Sequence, residues 1–301
     1  MSSMSPSSGA LPAPARNGQS QAGPTALRIV LGAQLRRMRQ ELDITREAAG
    51  RAIRGSHAKI TRLERGQVGI KERDLSDLLS LYRVLDEPSR ATYFDLARQA
   101  NAPGWWHQYS DVLEDWFALH IGLEDAASLI RSYEVQFLPG LLQTEAYAYS
   151  LSRLGYPDTP DDTVERLVQL RMERQKLLTR EGGPRLWVVL DEAVLRRPFG
   201  GRDIMRDQLR HLLEIAEMPH ITLQVAPFAT GAAAAGAPIT ILRFNESDIP
   251  DKVYLEHWGS AVYLDKQPEI DRYMLIMDTL CAESELPDRS LEMIHRLQQE
   301  L

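Results

Sequence analysis

The stretch from Thr45 to Gly66 constrains the fold of this chain more than any other, with the sequence TREAAGRAIRGSHAKITRLERG. Thr45 and Ser56 each precede a helical pattern, and a hydroxyl at such a position accepts a backbone amide that would otherwise be unpaired. The pair Arg54-Gly55 breaks the pattern, since glycine tolerates a positive φ. This layout predicts a helix-turn-helix, in which a buried helix supports a second helix that offers polar side chains to a groove. The apolar residues that we predict to form its core are Ala49, Ile53, Ile60 and Leu63.

The outward-facing side chains of the second predicted helix are rich in hydrogen-bond donors. Arginine pairs with guanine O6 and N7 through two hydrogen bonds, and lysine can donate to the same acceptors. We therefore predict that His57, Lys59 and Arg62 read base edges. Other polar residues of the motif are expected to hold phosphates, which fix the position of a protein on DNA without reading its sequence. These predicted phosphate-binding residues are Thr45, Arg46, Ser56, Thr61 and Arg65.

Charge is distributed unevenly along the chain. The net charge of the whole chain is −7, which taken alone argues against a nucleic-acid partner. Residues 1–101, however, hold 16 Lys and Arg against 10 Asp and Glu, whereas residues 102–301 hold 19 against 32. A basic segment of net charge +6 therefore precedes an acidic one of −13. Because a basic surface is attracted to a phosphate backbone, we expect the segment with the helix-turn-helix to bind DNA.

Cysteine content and hydropathy indicate a cytoplasmic protein. The single cysteine, Cys281, excludes a disulfide framework or a zinc ribbon within one chain. No apolar run reaches the length of a membrane span, and the first residues lack the apolar block of a signal peptide. Residues 1–25 are rich in Ser, Pro, Gly and Ala, and we predict that they form a disordered tail.

Apolar residues at helical spacing continue on both sides of the motif and predict an all-α bundle of five helices over residues 26–101. Beyond residue 102, a long helix is predicted from Val112 to Glu134, and the segments LWVVL, ITLQV and ITILR predict strands. Residues 102–287 are therefore predicted to form an α+β domain with a mostly antiparallel sheet. Residues 288–301 predict an amphipathic helix, whose apolar stripe either packs on its own domain or joins a dimer interface.

The spacing of the helix-turn-helix resembles the Cro and lambda-repressor class of regulators, also called the xenobiotic-response-element class. This resemblance implies the five-helix, lambda-repressor-like DNA-binding bundle. The class usually has glycine at the position of Arg54, so either Arg54 adopts a left-handed conformation or the turn moves to Gly55. The residues that carry the resemblance are Thr45, Arg46, Glu47, Ala49, Ile53, Ser56, Ile60, Arg62, Leu63, Glu64 and Gly66.

The second half resembles the effector domain of a group of actinobacterial regulators that includes the WhiJ-like developmental regulators. The matching segments are FLPGLLQTEAYA, RMERQKLLTR, LWVVLDEAVLRRPFGG and VYLEHWGSAVYLDK. The resemblance implies a cytoplasmic transcriptional regulator that is often encoded beside a small partner protein and is sometimes described as antitoxin-like. It also implies that this partner protein binds residues 102–287.

The leading hypothesis is a sequence-specific transcriptional regulator that binds double-stranded operator DNA as a homodimer, because one short helix reads too few base pairs to be selective. A second hypothesis is an interaction protein, whose acidic domain binds a small neighbouring-gene product and whose DNA binding is autoregulatory. A third is a ligand sensor, with a pocket between the sheet and the tryptophan-rich helices that follow residue 102.

An enzyme is the hypothesis that we rank last, because no constellation of residues predicts catalysis, a metal site or a cofactor. Gly231 and Gly236 have the spacing of a phosphate-binding loop, but the lysine and the hydroxyl residue that such a loop needs are missing after them. The remaining candidates, for which we favour structural roles, are Asp191, Glu192, Glu256, His257 and Cys281.

Overall fold

The computed structural model describes residues 23–231, 236–245, 249–257 and 259–301. The chain divides after Ala102 into two compact units. The predicted disordered tail lies outside the described residues as far as residue 22, and a helix begins at Pro24. Within the part of the chain that the structure covers, no helix is both long and apolar enough to cross a membrane.

The first unit is a bundle of α-helices around one core. Its core contains Leu35, Ile53, Ile60, Leu75 and Tyr82, which are all almost inaccessible to solvent. The predicted five-helix bundle is therefore confirmed. The helices are α1 (Pro24–Glu41), α2 (Arg46–Ala52), α3 (His57–Glu64), α4 (Glu72–Leu81) and α5 (Glu87–Ala100).

Two glycines allow the end of α3 to approach α1 closely. A Cβ atom on Gly32 would lie 2.4 Å from the carbonyl oxygen of Leu63. Gly66 has a φ of +66°, and a Cβ atom there would lie 2.6 Å from the Cα atom of Ile29. Because a larger residue at either position would push α3 away from α1, these glycines set the position of α3 in the bundle.

The second unit combines helices with one six-stranded sheet. Short 3-10 segments at Trp105–Tyr109, Gly140–Leu142 and Lys176–Leu178 add to the regular elements. These elements are α6 (Asp115–Ala126), β1 (Leu129–Glu134), α7 (Glu145–Gly155), α8 (Asp161–Gln175), β2 (Arg185–Asp191), α9 (Glu192–Arg196), α10 (Arg202–Ile215), β3 (Ile221–Ala226), β4 (Ile239–Arg243), β5 (Lys252–His257), β6 (Ser260–Leu264), α11 (Gln267–Glu283) and α12 (Pro287–Glu300).

The strand order in the sheet is β3-β2-β1-β4-β5-β6. Strands β1, β2 and β3 are parallel neighbours, whereas β1, β4, β5 and β6 pair in antiparallel fashion. Parallel neighbours need a crossover connection, which α7 and α8 supply between β1 and β2, and α9 and α10 between β2 and β3. The predicted α+β domain with a mostly antiparallel sheet is confirmed.

The predicted long helix from Val112 to Glu134 is wrong. Helix α6 ends at Ala126, and residues 129–134 form strand β1. Strand β1 lies inside the sheet, between β2 and β4, and four consecutive residues from Ile130 to Tyr133 are buried. A strand that is covered on both faces lacks the alternation of polar and apolar residues, so its sequence is hard to distinguish from that of a buried helix.

Helices cover the sheet. Side chains of α11, among them Ile270, Met277 and Leu280, share a core with Tyr133 and Val253 on one face. Helix α12 packs against α10 and β3. Of its predicted apolar stripe, Ile294 and Leu297 are buried and Leu291 and Leu301 are half-buried. The centre of the stripe therefore packs on its own unit, and a part of the stripe in a dimer interface stays a prediction.

Candidate nucleic-acid interface

The turn between α2 and α3 is made by Arg54, which has a φ of +53°. Of the two alternatives for this turn, the left-handed conformation of Arg54 is the one observed, and Gly55 is not among the residues with positive φ. A left-handed conformation costs about 1–2 kcal/mol for a residue with a Cβ atom. The Arg54 guanidinium lies 3.5 Å from the Asp77 carboxylate and is mostly exposed.

A buried ionic network joins the end of α1, the start of α2 and the end of α3. Arg39 donates from Nε to Oε1 of Glu64 at 2.5 Å and from Nη2 to Oε2 at 3.1 Å. A further hydrogen bond from Arg39 reaches the carbonyl oxygen of Ile44 at 2.8 Å. Arg46 donates from Nε to Oε2 of Glu64 at 3.2 Å, while its side chain stays partly exposed. The hydrogen bond to Glu64 raises the pKa of Arg39, so the guanidinium keeps its charge in the folded unit.

The outer face of α3 is polar and accessible, as predicted from its spacing. His57, Ala58, Arg62 and Arg65 are exposed on this face, and Thr61 is half-buried and donates to the His57 carbonyl oxygen at 3.0 Å. The residues that we predicted for the core of the motif are all buried, and they are Ala49, Ile53, Ile60 and Leu63.

Lys59 differs from this outward-facing group, because α4 provides a partner for it. Its Nζ lies 2.5 Å from Oδ2 of Asp74, which is completely buried. Arg73 contacts the other carboxylate oxygen of Asp74 at 3.0 Å. Burial alone would raise the pKa of Asp74, but the hydrogen bonds and charges of Lys59 and Arg73 hold it below its ordinary value. The structure therefore places the Lys59 ammonium against the bundle, away from the exposed positions of His57 and Arg62.

Two predicted phosphate-binding residues cap the helices of the motif. The hydroxyl of Thr45 accepts the amide of Ala48 at 3.1 Å, and the hydroxyl of Ser56 accepts the amide of Lys59 at 3.3 Å. Both side chains are exposed. A hydroxyl that accepts one hydrogen bond can still donate its proton to a phosphate oxygen, and the partial positive charge of a helix N-terminus favours an anion there.

In the second unit, the structure gives the carboxylates at the end of β2 structural partners. Asp191 accepts the amide of Ala193 at 2.8 Å, and Glu192 accepts the amide of Phe228 at 2.9 Å. Cys281 is half-buried beside Arg131, and burial raises the pKa of its thiol. Residues 232–235 of the glycine-flanked loop lie outside the described residues. Over the described ranges, no group of three or more His, Cys, Asp or Glu residues has an arrangement that could hold a metal ion.

A cavity of about 150 Å³ lies beside α6 and α8. Its charged side chains form ion pairs with one another: Lys176 with Glu173, Arg180 with Asp125, and Arg174 with Glu124. Because each of these charges already has an opposite charge beside it, the cavity offers a ligand little electrostatic gain. Its lining residues are Trp105, Ile121, Glu124, Asp125, Glu173, Arg174, Lys176, Leu177 and Arg180.

Two family models match this sequence. One, described as a helix-turn-helix domain, matches residues 30–92, and the other, described as Domain of unknown function (DUF5753), matches residues 117–296. No curated protein and no solved structure matches the chain. The first match contains α2, the turn and α3, so the predicted helix-turn-helix is confirmed, and it supports a regulator that binds DNA. The resemblance to WhiJ-like regulators stays a prediction.

Proposed function

We propose that this chain, which belongs to the family described as Domain of unknown function (DUF5753), is a sequence-specific transcriptional regulator that binds double-stranded DNA through α3. The observation that carries the proposal is the exposed polar face of α3 on a rigid support. Arg62 and His57 point away from the bundle, while Glu64 on the opposite face is held by Arg39 and Arg46. A recognition helix needs such support, because base readout depends on the side chains being held in position.

Within this proposal, Arg62 and His57 read base edges, whereas Lys59 contributes less to base readout. The Lys59 ammonium is already paired with a buried carboxylate, and releasing it would leave Asp74 without its main cation. Uncompensated buried charges are costly, so the Lys59 ammonium stays paired with the Asp74 carboxylate unless an acceptor on the DNA binds it more strongly. Thr45, Ser56 and Arg65 remain the proposed phosphate-binding residues. Arg46 and Thr61 are also proposed to bind phosphate, and each already makes one hydrogen bond inside the unit.

Replacing Arg62 with alanine is expected to weaken binding to the preferred DNA site about 5- to 150-fold, because one bidentate base contact contributes about 1–3 kcal/mol. The site is first selected from genomic fragments bound by the wild-type chain, and affinities are then titrated at one salt concentration. The matched control is Arg98→Ala on α5, an exposed arginine that pairs with Asp95. If Arg62→Ala binds as tightly as the control, Arg62 does not read a base.

Replacing Asp74 with asparagine is expected to make DNA binding more sensitive to salt. The neutral amide no longer holds the Lys59 ammonium, which then becomes available for a phosphate. One additional phosphate contact changes the slope of log K against log[salt] by about −0.9. The slope is measured with DNA of unrelated sequence, and the control is the double variant Asp74→Asn with Lys59→Met, which should return to the wild-type slope. Equal slopes for all three proteins would contradict the proposed role of Asp74.

The proposed regulator acts as a homodimer. Helix α3 has eight residues and offers few positions to bases, so two copies on half-sites about one helical turn apart would double the sequence that is read. Light scattering of the chain with and without its DNA site tests this, and a complex that contains one chain per site would contradict it.

A second candidate role is that of an antitoxin-like interaction protein, in which residues 102–287 bind a small neighbouring-gene product and DNA binding is autoregulatory. The net charge of −13 over residues 102–301 favours a basic partner. Co-expression of the chain with the product of the adjacent gene, followed by purification on the chain alone, tests this role. Recovery of the chain without that product would count against it.

A further inference from the structure

The two edges of the sheet in the second unit differ in what covers them. At the β3 edge, the amide of Glu285 donates to the carbonyl oxygen of Val225 at 2.9 Å, and the amide of Val225 donates to the hydroxyl of Ser290 at 2.9 Å. Helix α12 also packs against β3. Strand β6 ends the sheet on the other side, and across the residues that the structure describes it pairs with β5 alone. The chain therefore closes one edge itself and leaves the β6 edge open.

The register of the β5–β6 hairpin identifies the backbone groups that face this open edge. Two residues separate His257 from its partner Ser260, so this pair closes the turn as a hydrogen-bonded pair. Hydrogen-bonded and non-hydrogen-bonded pairs alternate along an antiparallel ladder. Ser260 and every second residue after it therefore direct their N–H and C=O groups toward β5. The residues between them, Ala261 and Tyr263, direct two N–H and two C=O groups toward the open edge.

Contacts within the second unit hold β6 in place and leave one apolar side chain uncovered. The hydroxyl of Tyr263 donates to the carbonyl oxygen of Trp116 at 3.1 Å, and its ring lies 5.2 Å from the ring of Tyr254 between centroids. On the other face of the sheet, Leu264 packs against the core that α11 covers. Val262 lies on the same face as Leu264, at the centre of the strand, and is 46% exposed.

Strand β6 lacks the features that usually protect an open edge. Natural sheets protect their edges with charged side chains, proline or a bulge, because unpaired N–H and C=O groups bind other strands. The sequence of β6, SAVYL, has no charged residue and no proline. Its five residues pair with β5 one to one, without a bulge. The open edge is therefore suited to accept a further strand through main-chain hydrogen bonds.

The β6 edge is complementary to a second copy of itself. When two β6 strands run antiparallel with a two-fold axis at Val262, Ala261 of each copy lies opposite Tyr263 of the other. Each of these two pairs exchanges two hydrogen bonds, so every open group of both strands is used. The two Val262 residues then form a non-hydrogen-bonded pair, with about 4.5 Å between their Cα atoms, and cover each other. An axis at Ala261 or Tyr263 would need residues beyond the ends of β6 to complete the bonding.

We infer that two copies of this chain associate through β6, which pairs antiparallel with itself about Val262 and joins the two sheets into one. The absence of charge on β6 supports a second copy as the occupant, because a charged strand would place like charges opposite each other. Four hydrogen bonds and one valine pair form a small interface, so we expect the dimer to be weak without DNA. This inference supplies an interface for the proposed homodimer and rests on the proposed function only for the role of the dimer in DNA binding.

Disulfide cross-linking of the full chain tests the register. Val262→Cys is made together with Cys281→Ser, which removes the native thiol, and the protein is oxidised with diamide. A Cα separation of about 4.5 Å is within the range that a disulfide spans, so covalent dimers should form at least tenfold faster than in the matched control, Ser260→Cys with Cys281→Ser. Ser260 is exposed on the same face of the same strand, but its two copies would lie about 13 Å apart along the strands.

Light scattering over a series of protein concentrations, with and without the selected DNA site, measures the strength of association. Val262→Lys places two like charges opposite each other and is expected to weaken association at least tenfold. The matched control is Leu275→Lys, which changes an apolar residue of α11 that is 68% exposed and should leave association unchanged. Thermal unfolding of each variant checks that it is folded.

Three results would overturn the inference: Val262→Cys cross-links no faster than Ser260→Cys, Val262→Lys associates as tightly as Leu275→Lys, or the wild-type chain stays a single copy both free and on DNA. Affinity for DNA is measured separately. A dimer that depends on Val262 but binds no DNA contradicts only the proposed function. Two copies on one DNA site that associate equally well with Val262→Lys contradict only the β6 interface.

Discussion

Replacing Glu64 with alanine is expected to lower the free energy of unfolding of the first unit by about 3–5 kcal/mol, because it leaves a buried arginine without its counter-charge. The Glu64 side chain is 4% exposed, and it accepts hydrogen bonds from Arg39 and Arg46. In the variant, the Arg39 guanidinium remains between α1 and α3, where the Ile44 carbonyl oxygen is its remaining hydrogen-bond acceptor among the described residues. The loss should therefore be largest in the helices that form the helix-turn-helix.

Hydrogen exchange of the full chain measures this effect, because it resolves α1, α2 and α3 from the second unit. The control is Glu41→Ala, an exposed residue at the end of α1, which should change exchange very little. Binding to the selected DNA site should fall with the population of folded motif. If α1–α3 in Glu64→Ala exchange as slowly as in the control, the network does not stabilise the motif.

Replacing Glu124 with alanine is expected to destabilise the second unit by a similar amount, about 3–5 kcal/mol at neutral pH. Glu124 is buried, and its carboxylate binds Arg174 through both oxygens, while the guanidinium lies 4.8 Å from the centroid of the Phe117 ring. Without the carboxylate, the Arg174 charge stays buried against α6 and the aromatic ring. The control is Glu173→Ala, whose partly exposed pair with Lys176 should contribute about 0–1 kcal/mol.

The effect of Glu124→Ala should depend on pH. Burial alone would raise the pKa of Glu124, but the charges and hydrogen bonds of Arg174 and His120 lower it to about 2, from an ordinary value of 4.5. Because the folded-state pKa is the lower one, the ion pair stabilises the unit above pH 4.5 and loses this contribution as the pH falls toward 2. Denaturant unfolding at several pH values should show the difference between wild type and variant shrinking over this range. A difference that stays constant down to pH 2 would contradict the assignment.

Local sequence was sufficient to predict the helix-turn-helix. The caps at Thr45 and Ser56 and the apolar spacing of Ile60 and Leu63 act within one or two helical turns, so tertiary structure is not needed to recognise them. Strand β1 could not be predicted in this way. Its residues are buried by neighbours on both faces, and the strands beside it, β2 and β4, come from later parts of the chain.

The orientation of side chains depended on contacts that spacing does not contain. Helical spacing gives Lys59 an outward position, but Asp74 on α4 binds its ammonium and holds it against the bundle. Glu64 likewise becomes a buried ionic centre only because α1 brings Arg39 to it. Electrostatic partners are selected by distance in the folded state, and sequence separation does not limit them.

The sequence by itself determined that the first unit is a basic helical bundle with a helix-turn-helix, because charge, capping and periodicity are local properties. Only the tertiary structure decided what the second unit brings together. Glu124 on α6 and Arg174 on α8 form a buried ion pair, although 50 residues separate them along the chain. The physical reason is that a buried ion pair of this kind results from the packing of distant elements, whose positions no local pattern specifies.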